Sequence, residues 1–402
     1  MGEWLSLRLW RVSAELAILA GLVFVVIVAV EPPAAAVRTD RQSSAETRAQ
    51  APPEERAPGD GAKTEQTERR PAMQIEGYRW KPMWISHVGC LKGVADKLGV
   101  NVSVPWLFGL TGHAFLINIH ETLCPSGWHV VGVPLGDGAR NAGLVIEHLV
   151  EPNHVFEPKA ELQQRAWDGV RKAIDAGKPC YGYDLEKGDY YAVYGYDGAG
   201  YYFSGPACDQ GKGPLPWRDY GVKGEVGVIY MNAVTKGEPV SDAQAVRDAL
   251  VVALRQSKKV ECDSPLYAGG LAGYDQWIRS IESGKADGFG MSYNAQCYSE
   301  CRRNAVEFLK EAKGRLDEKL APLFDKAIGH YGIVAQELKK VADTFPFFER
   351  KPEHIADKAR TSAAIESLKA AKAEEARGLE ALAEIAKTLG AENVARAGES
   401  AS

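Results

Sequence analysis

The sequence is poor in the features that mark a metal centre or a nucleic-acid binder. Its seven cysteines include no CxxC pair, and no second pair of cysteine or histidine residues stands at zinc-finger spacing, so we expect no structural zinc. No HExxH motif occurs. The net charge is −5, and the folded part has no run of lysine and arginine interleaved with aromatics. We therefore expect no metal, no other cofactor and no nucleic-acid partner.

Charged residues are also missing near the N-terminus, because none of the 15 residues in the segment 16–30 is charged. As a helix they would span roughly 23 Å, and apolar flanking residues can extend this toward the ~30 Å of a hydrocarbon core. Arg8 and Arg11 favour an N-terminus on the inner side. We expect 1–30 to form a hydrophobic helix that anchors the protein in the cell membrane through 16–30 with its folded part extracytoplasmic. The alternative is a signal peptide cleaved near 34–36, which yields a secreted or periplasmic protein.

The rest of the chain divides by composition. Residues 31–75 are rich in Pro, Ala, Glu and Arg and hold almost no large apolar side chain, which predicts a disordered linker. Short aromatic and β-branched segments in 76–236 predict an antiparallel sheet. Apolar residues at helical spacing predict an α-helical region over 237–390, followed by a disordered tail at 391–402. The expected fold class is α+β.

Individual elements follow from periodicity, caps and turn residues. The segment Asp197 to Gly200 predicts a hairpin turn, and Ser241 predicts a helix N-cap. The expected helices cover 90–98, 160–176, about 241–256, 273–283, 295–316, 320–343 and 354–389. The expected strands cover 129–133, 180–183, 190–196, 201–204 and 227–231.

Two residues are candidates for catalysis. Cys90 stands at the expected start of a helix, where the helix dipole and Lys92 would favour the thiolate. His113, in the sequence GHAF, is the candidate general base. The alternative is structural for both, a buried cysteine and a satisfied, partly buried histidine.

Tyrosine is concentrated in one stretch, with eight residues between 181 and 202. Alternating tyrosines suit the face of a sheet, but they could also line a ligand pocket, since each has a flat apolar ring and a hydroxyl. Tyr190, Tyr191 and Tyr194, together with Trp106, are the candidate substrate-binding residues.

Charged residues cluster in the segment SECRRNAVEFL of a predicted helix. Glu300, Arg302 and Arg303 could form an exposed face of that helix. Alternatively, a buried Glu–Arg pair could support the contact between the α+β part and the helical region.

Four segments resemble a known family. They are GCLKGVADKLG, which contains Cys90, WLFGLTGHAF (106–115), AGKP (176–179) and YYAVYGYDGAGYYFSGP (190–206). Together they are similar to the N-terminal domain of butirosin biosynthesis protein H and its relatives, in the peptidase C39-like group of papain-type folds. The match covers about 80–235. It implies a papain-like domain at 76–236 with Cys90 as nucleophile.

The resemblance also identifies a departure from the family pattern. In that pattern a histidine opens the strand before the GYD turn, and an Asp or Asn precedes a proline one strand later. Here those positions fall near Tyr190 or Tyr191 and near Ser204 or Gly205. Neither completes a Cys-His-Asp triad, because tyrosine, with a pKa of about 10, is a poor base at neutral pH.

Three functions are consistent with these observations. The first is a thiol-dependent acyl transfer or amide hydrolysis through Cys90. The second is a catalytically inactive papain-fold protein that binds a peptide or a small molecule. The third is a structural module of the cell envelope.

Overall fold

The computed structural model describes residues 72–125, 135–151, 159–258 and 265–391. The expected N-terminal helix, nearly all of the linker, the strand at 129–133 and nearly all of the tail lie outside these ranges. Within the ranges, none of the helices combines the length and apolar character that crossing a membrane requires. The linker was expected to reach residue 75, but Met73–Gln74 already forms a strand.

The fold contains a seven-stranded, entirely antiparallel sheet. Its strand order is β3-β8-β4-β5-β6-β7, with β1 paired to β5, and β2 pairs separately with β9. The strands are β1 (Met73–Gln74), β2 (Asn118–His120), β3 (Leu144–Val150), β4 (Cys180–Tyr183), β5 (Tyr190–Tyr196), β6 (Gly200–Gly205), β7 (Cys208–Pro216), β8 (Tyr230–Lys236) and β9 (Tyr267–Gly269).

Helices pack on the sheet and then form the C-terminal region. They are α1 (Ser86–Leu98), α2 (Val104–Leu110), α3 (Lys159–Asp175), α4 (Asp242–Ser257), α5 (Leu271–Glu282), α6 (Gly288–Arg315), α7 (Ala321–Thr344) and α8 (Lys358–Thr388). The α+β class, the antiparallel sheet and the C-terminal helical region are therefore confirmed.

The turn chemistry read from the sequence explains the β5–β6 hairpin. The Asp197 carboxylate accepts hydrogen bonds from the backbone N–H groups of Ala199 (2.7 Å) and Gly200 (3.1 Å). These bonds close the turn because an aspartate side chain can replace a backbone acceptor. The Ser241 cap of α4 is also present, with its hydroxyl accepting from the backbone N–H of Gln244.

Strands β1, β2, β3, β7 and β9 were not predicted, and β8 begins later than expected. The errors at β8 and β7 have identifiable reasons. The strand expected at 227–231 begins only at Tyr230, since the Asp184 carboxylate binds the N–H groups of Val226 and Gly227 and holds them in a turn. Strand β7 was not predicted, because its glycines and prolines break the alternation. Such residues are tolerated there because β7 lies at the edge of the sheet.

Helix α1 begins four residues earlier than expected. A carboxylate oxygen of Glu300, on α6, accepts from the Ile85 N–H at 2.9 Å and so supplies the cap that the local sequence lacks. Cys90 is therefore the fifth residue of the helix, one turn inside it. The prediction that Cys90 opens the helix was wrong, because a distant residue fixes where the helix starts.

The sheet part and the helical region share one hydrophobic core. Trp106 of α2 packs against Phe308 of α6, with ring centroids 5.3 Å apart. A Cβ added at Gly109 would overlap the Phe308 ring, so the two helices approach closely through the glycine. Strand β8 ends at Lys236, and the shared core continues past it into the helical region.

A buried arginine on α6 forms hydrogen bonds with the segment that follows α2. The fully buried Arg302 donates to the carboxylate of Glu375, on α8, at 2.8 Å. Its other guanidinium nitrogens donate to the backbone carbonyls of Ala114, Phe115 and Leu116 at 2.8–3.0 Å. The interpretation of a buried Glu–Arg pair is thus realised with Glu375, whereas Glu300 lies 3.6 Å from the exposed Arg303.

Candidate functional site

The Cys90 side chain is fully buried between α1 and the sheet. Burial raises the pKa of its thiol well above the usual range, and the negative charge of Asp189 raises it further. A thiol in this environment stays protonated at neutral pH. Since the thiolate is the reactive form, the site as it stands does not activate Cys90 as a nucleophile.

The N-terminus of α1, which could have stabilised a thiolate, already faces two carboxylates. Glu300 accepts from the Ile85 N–H, as described above. The hydroxyl of Ser86 donates to Asp189 at 2.8 Å and accepts from the Tyr190 N–H at 3.0 Å. The positive end of the helix dipole therefore acts on Glu300 and Asp189 rather than on Cys90.

His113 lies buried in the turn after α2. The Thr111 hydroxyl donates its one proton to the Leu107 carbonyl at 2.6 Å, so at 2.7 Å it accepts from His113 Nδ1. Burial lowers the pKa of His113 well below its usual range, and the neighbouring His87 lowers it further. His113 is therefore neutral at pH 7, with its ring proton on Nδ1.

His87 connects His113 to the sheet. Its ring centroid lies 5.4 Å from that of His113, and its ring stacks on Tyr190 at 4.3 Å. Its Nε2 is 3.3 Å from the Tyr181 hydroxyl. The sequence offered one signal for His87, which lies one helical turn before Cys90 and hence on the same face of α1.

The structure brings together only some of the candidate residues. Cys90 and Tyr190 lie at the contact between α1 and β5, and His113 joins Tyr190 through His87. Trp106 lies elsewhere, buried against Phe308 and under the Arg315 guanidinium at 4.0 Å.

Tyr191 and Tyr194 belong to other surroundings. Tyr191 packs edge-on against Phe203 at 5.4 Å and accepts a hydrogen bond from the Lys187 N–H. The Tyr194 ring lies 3.5 Å below the guanidinium of Arg79. These contacts do not join either tyrosine to His87 or His113.

Asp189 is the residue that the sequence reading missed. Asp189 is a half-buried residue, and its carboxylate accepts from Ser86 and has a longer contact of 3.4 Å with the Tyr293 hydroxyl. Burial raises the pKa of Asp189 to about 6. Within the described ranges it forms no ion pair, since the nearby Lys187 binds Glu225 at 3.0 Å. The sequence offered one signal for Asp189, its position directly before the candidate residue Tyr190.

An aromatic surface cluster continues outward from Tyr293. Phe289 stacks on Tyr293 at 6.0 Å, and the ring of Phe347 also lies 6.0 Å away. Trp84 packs edge-on against Phe347 at 5.1 Å. Phe348, which is 86% exposed, completes the cluster. We call Trp84, Phe289, Phe347 and Phe348 the aromatic rim.

A cation already lies on the rim. The Arg350 guanidinium stands 4.5 Å from the Phe347 ring centroid and 5.2 Å from that of Phe289. Metal binding has no comparable support, because no three His, Cys, Asp or Glu residues of the described ranges are grouped to hold an ion.

A scan against protein-family models and a search of curated proteins found no match to the chain. The resemblance to the butirosin H group therefore depends on the residues quoted above.

Proposed function

We propose that the chain is an exported, membrane-tethered protein whose papain-type domain binds a peptide or small-molecule ligand without using Cys90 as a nucleophile. The observation that carries this proposal is the complete burial of the Cys90 side chain in surroundings that raise its thiol pKa. A nucleophile must be reachable by its substrate and must ionise, and Cys90 meets neither requirement.

The papain-type identity is supported by the packing of α1 on an antiparallel sheet. Strand β5 begins beside the N-terminus of α1, where Tyr190 N–H meets Ser86. In the resembled family a histidine stands near this position, which here falls near Tyr190 or Tyr191. A chain that keeps the papain-type fold but has lost the catalytic base can still bind a ligand, although it no longer reacts with it.

Export is proposed from the uncharged segment 16–30 and the polar linker that follows it. The test is the mass of the mature protein in the membrane fraction, together with protease accessibility of the folded part in intact cells. An uncleaved chain that is digested from outside supports the anchor, and a chain shortened near residue 36 supports the cleaved signal. A full-length chain that stays protected in intact cells contradicts export.

The decisive test of the thiol is site-resolved alkylation. The full-length protein is treated with iodoacetamide at pH 7 and 8.5, and each cysteine is followed by peptide mass spectrometry. Cys208 is the internal reference, because it is only partly buried and burial raises its thiol pKa to about 11. We expect Cys90 to react at least 10-fold more slowly than Cys208 in the native protein and equally fast in guanidinium.

The opposite result would restore the enzyme hypothesis. If Cys90 reacts faster than Cys208 at pH 7, its thiol is accessible and ionises more readily than that of Cys208, whose pKa burial raises to about 11. Cys90 with His113 would then be reconsidered as a catalytic pair for acyl transfer or amide hydrolysis.

A further inference from the structure

The carboxylate of Asp189 is oriented by its neighbours but not neutralised by them. Ser86 holds one oxygen at 2.8 Å, and the same oxygen makes the longer contact with Tyr293. No described lysine or arginine pairs with this carboxylate. The neighbouring Lys187 is paired with Glu225, whose other oxygen also accepts from the Gly188 N–H.

The surroundings of this carboxylate are aromatic. Tyr293 reaches it directly, and the pKa values of Tyr183 and Tyr191 are raised by burial and further by the negative charge of Asp189. Burial raises the pKa of Asp189, the charge of Lys187 lowers it only in part, and within the described ranges the carboxylate has no ion pair, so it is costly to keep ionised. A ligand that brings a positive charge lowers that cost, and aromatic faces add cation–π attraction.

We infer that Asp189, Tyr293 and the aromatic rim form a recognition site for an organic cation, a ligand with an alkylammonium group attached to an apolar portion. The ammonium would lie against the Asp189 carboxylate, and the apolar portion would lie against Tyr293, toward the aromatic rim. This inference names the ligand class of the binding function proposed above and rests on it.

The chemistry of the donors favours an organic cation over a metal ion. Calcium and magnesium require several oxygen ligands, and here one carboxylate stands among ring edges and hydroxyls. The Arg350 guanidinium on Phe347 and Phe289 is an example, within this chain, of a cation on the same rim. The rim is also reachable, since Phe289 is 42% exposed and Phe348 86%.

The test compares two probes of nearly equal shape, benzylammonium and benzyl alcohol, by calorimetric titration of the full-length protein at pH 7.5. We expect saturable binding of benzylammonium at least 10-fold tighter than that of benzyl alcohol. Asp189→Asn is expected to abolish this preference. Asp209→Asn is the control for net charge, because Asp209 is exposed on the edge strand β7, and it should leave binding unchanged.

Two further variants separate the ring of Tyr293 from its hydroxyl. Tyr293→Phe keeps the ring and should change benzylammonium affinity less than threefold, whereas Tyr293→Leu should weaken it at least fivefold. Unfolding curves confirm that each variant is folded before it is titrated.

Several results would overturn the inference. These are equal affinity for the two probes, retained affinity in Asp189→Asn, or no saturable binding of benzylammonium up to about 10 mM. Benzyl alcohol binding alone would leave a ligand-binding function in place without the cation. A reactive Cys90 in the alkylation test would instead contradict the proposed function itself.

Discussion

Replacing Arg302 with methionine should destabilise the protein more than any exposed substitution on the same helix. The variant loses the 2.8 Å bond to Glu375 and leaves that carboxylate buried with the Tyr274 hydroxyl as its remaining donor among the contacts described above. It also removes the donors to three backbone carbonyls between Ala114 and Leu116. Breaking one side of a buried ion pair costs about 3–5 kcal/mol.

The assay is urea unfolding of the full-length protein, followed by tryptophan fluorescence and circular dichroism. A loss of this size also lowers the melting temperature by roughly 10 °C, at about 2–4 °C per kcal/mol for a domain of 150–250 residues. Arg303→Met is the matched control, because the Arg303 side chain is 70% exposed. It should change stability by less than about 0.5 kcal/mol.

The double variant Arg302→Met, Glu375→Leu identifies the cause. Because it removes both charges, it should be more stable than Arg302→Met alone, with the unpaired carbonyls and the Tyr274 hydroxyl, which loses its acceptor, left to destabilise it. A loss below about 1 kcal/mol in Arg302→Met would refute the reasoning. So would a double variant whose loss equals the sum of the two single losses, since the pair would then carry no coupling.

Three further predictions concern other contacts. The pKa of Asp189 is about 6 in the folded protein, above the value of about 3.9 in the unfolded chain. Protonation of this carboxyl therefore favours the folded state, and this contribution to the free energy of unfolding is fully present below pH 4 and is lost as the pH rises through 6. Asp189→Asn should therefore be up to about 3 kcal/mol more stable than the native protein at pH 8 and no more stable near pH 4; a pH-independent difference in urea unfolding would contradict this. Glu300→Leu removes the acceptor of the buried Ile85 N–H, so urea unfolding should give a loss of about 1–3 kcal/mol, and an unchanged midpoint would count against the cap. Gly109→Ala should cost about 1–3 kcal/mol in thermal unfolding through overlap with Phe308, and no loss would mean that the helices separate easily.

Much of the architecture could be predicted from the sequence, because it depends on local chemistry. The Asp197 turn fixes the β5–β6 hairpin, and the Ser241 hydroxyl fixes the start of α4. The long helices of the C-terminal region show the apolar spacing that their burial requires. Each of these features is determined by residues within a few positions of one another.

The sequence by itself therefore determined the class of the fold, the β5–β6 hairpin and the long helices of the C-terminal region, and it singled out the segment around Cys90 as a candidate. Only the tertiary structure decided what that segment can do. Glu300, 215 positions from Ile85 along the chain, sets the start of α1 and leaves Cys90 one turn inside the helix. The sheet then buries the thiol, while Ser86 and Tyr293 gather around Asp189. Contacts between residues so far apart leave no local pattern, because burial and charge pairing arise only when the distant segments pack together.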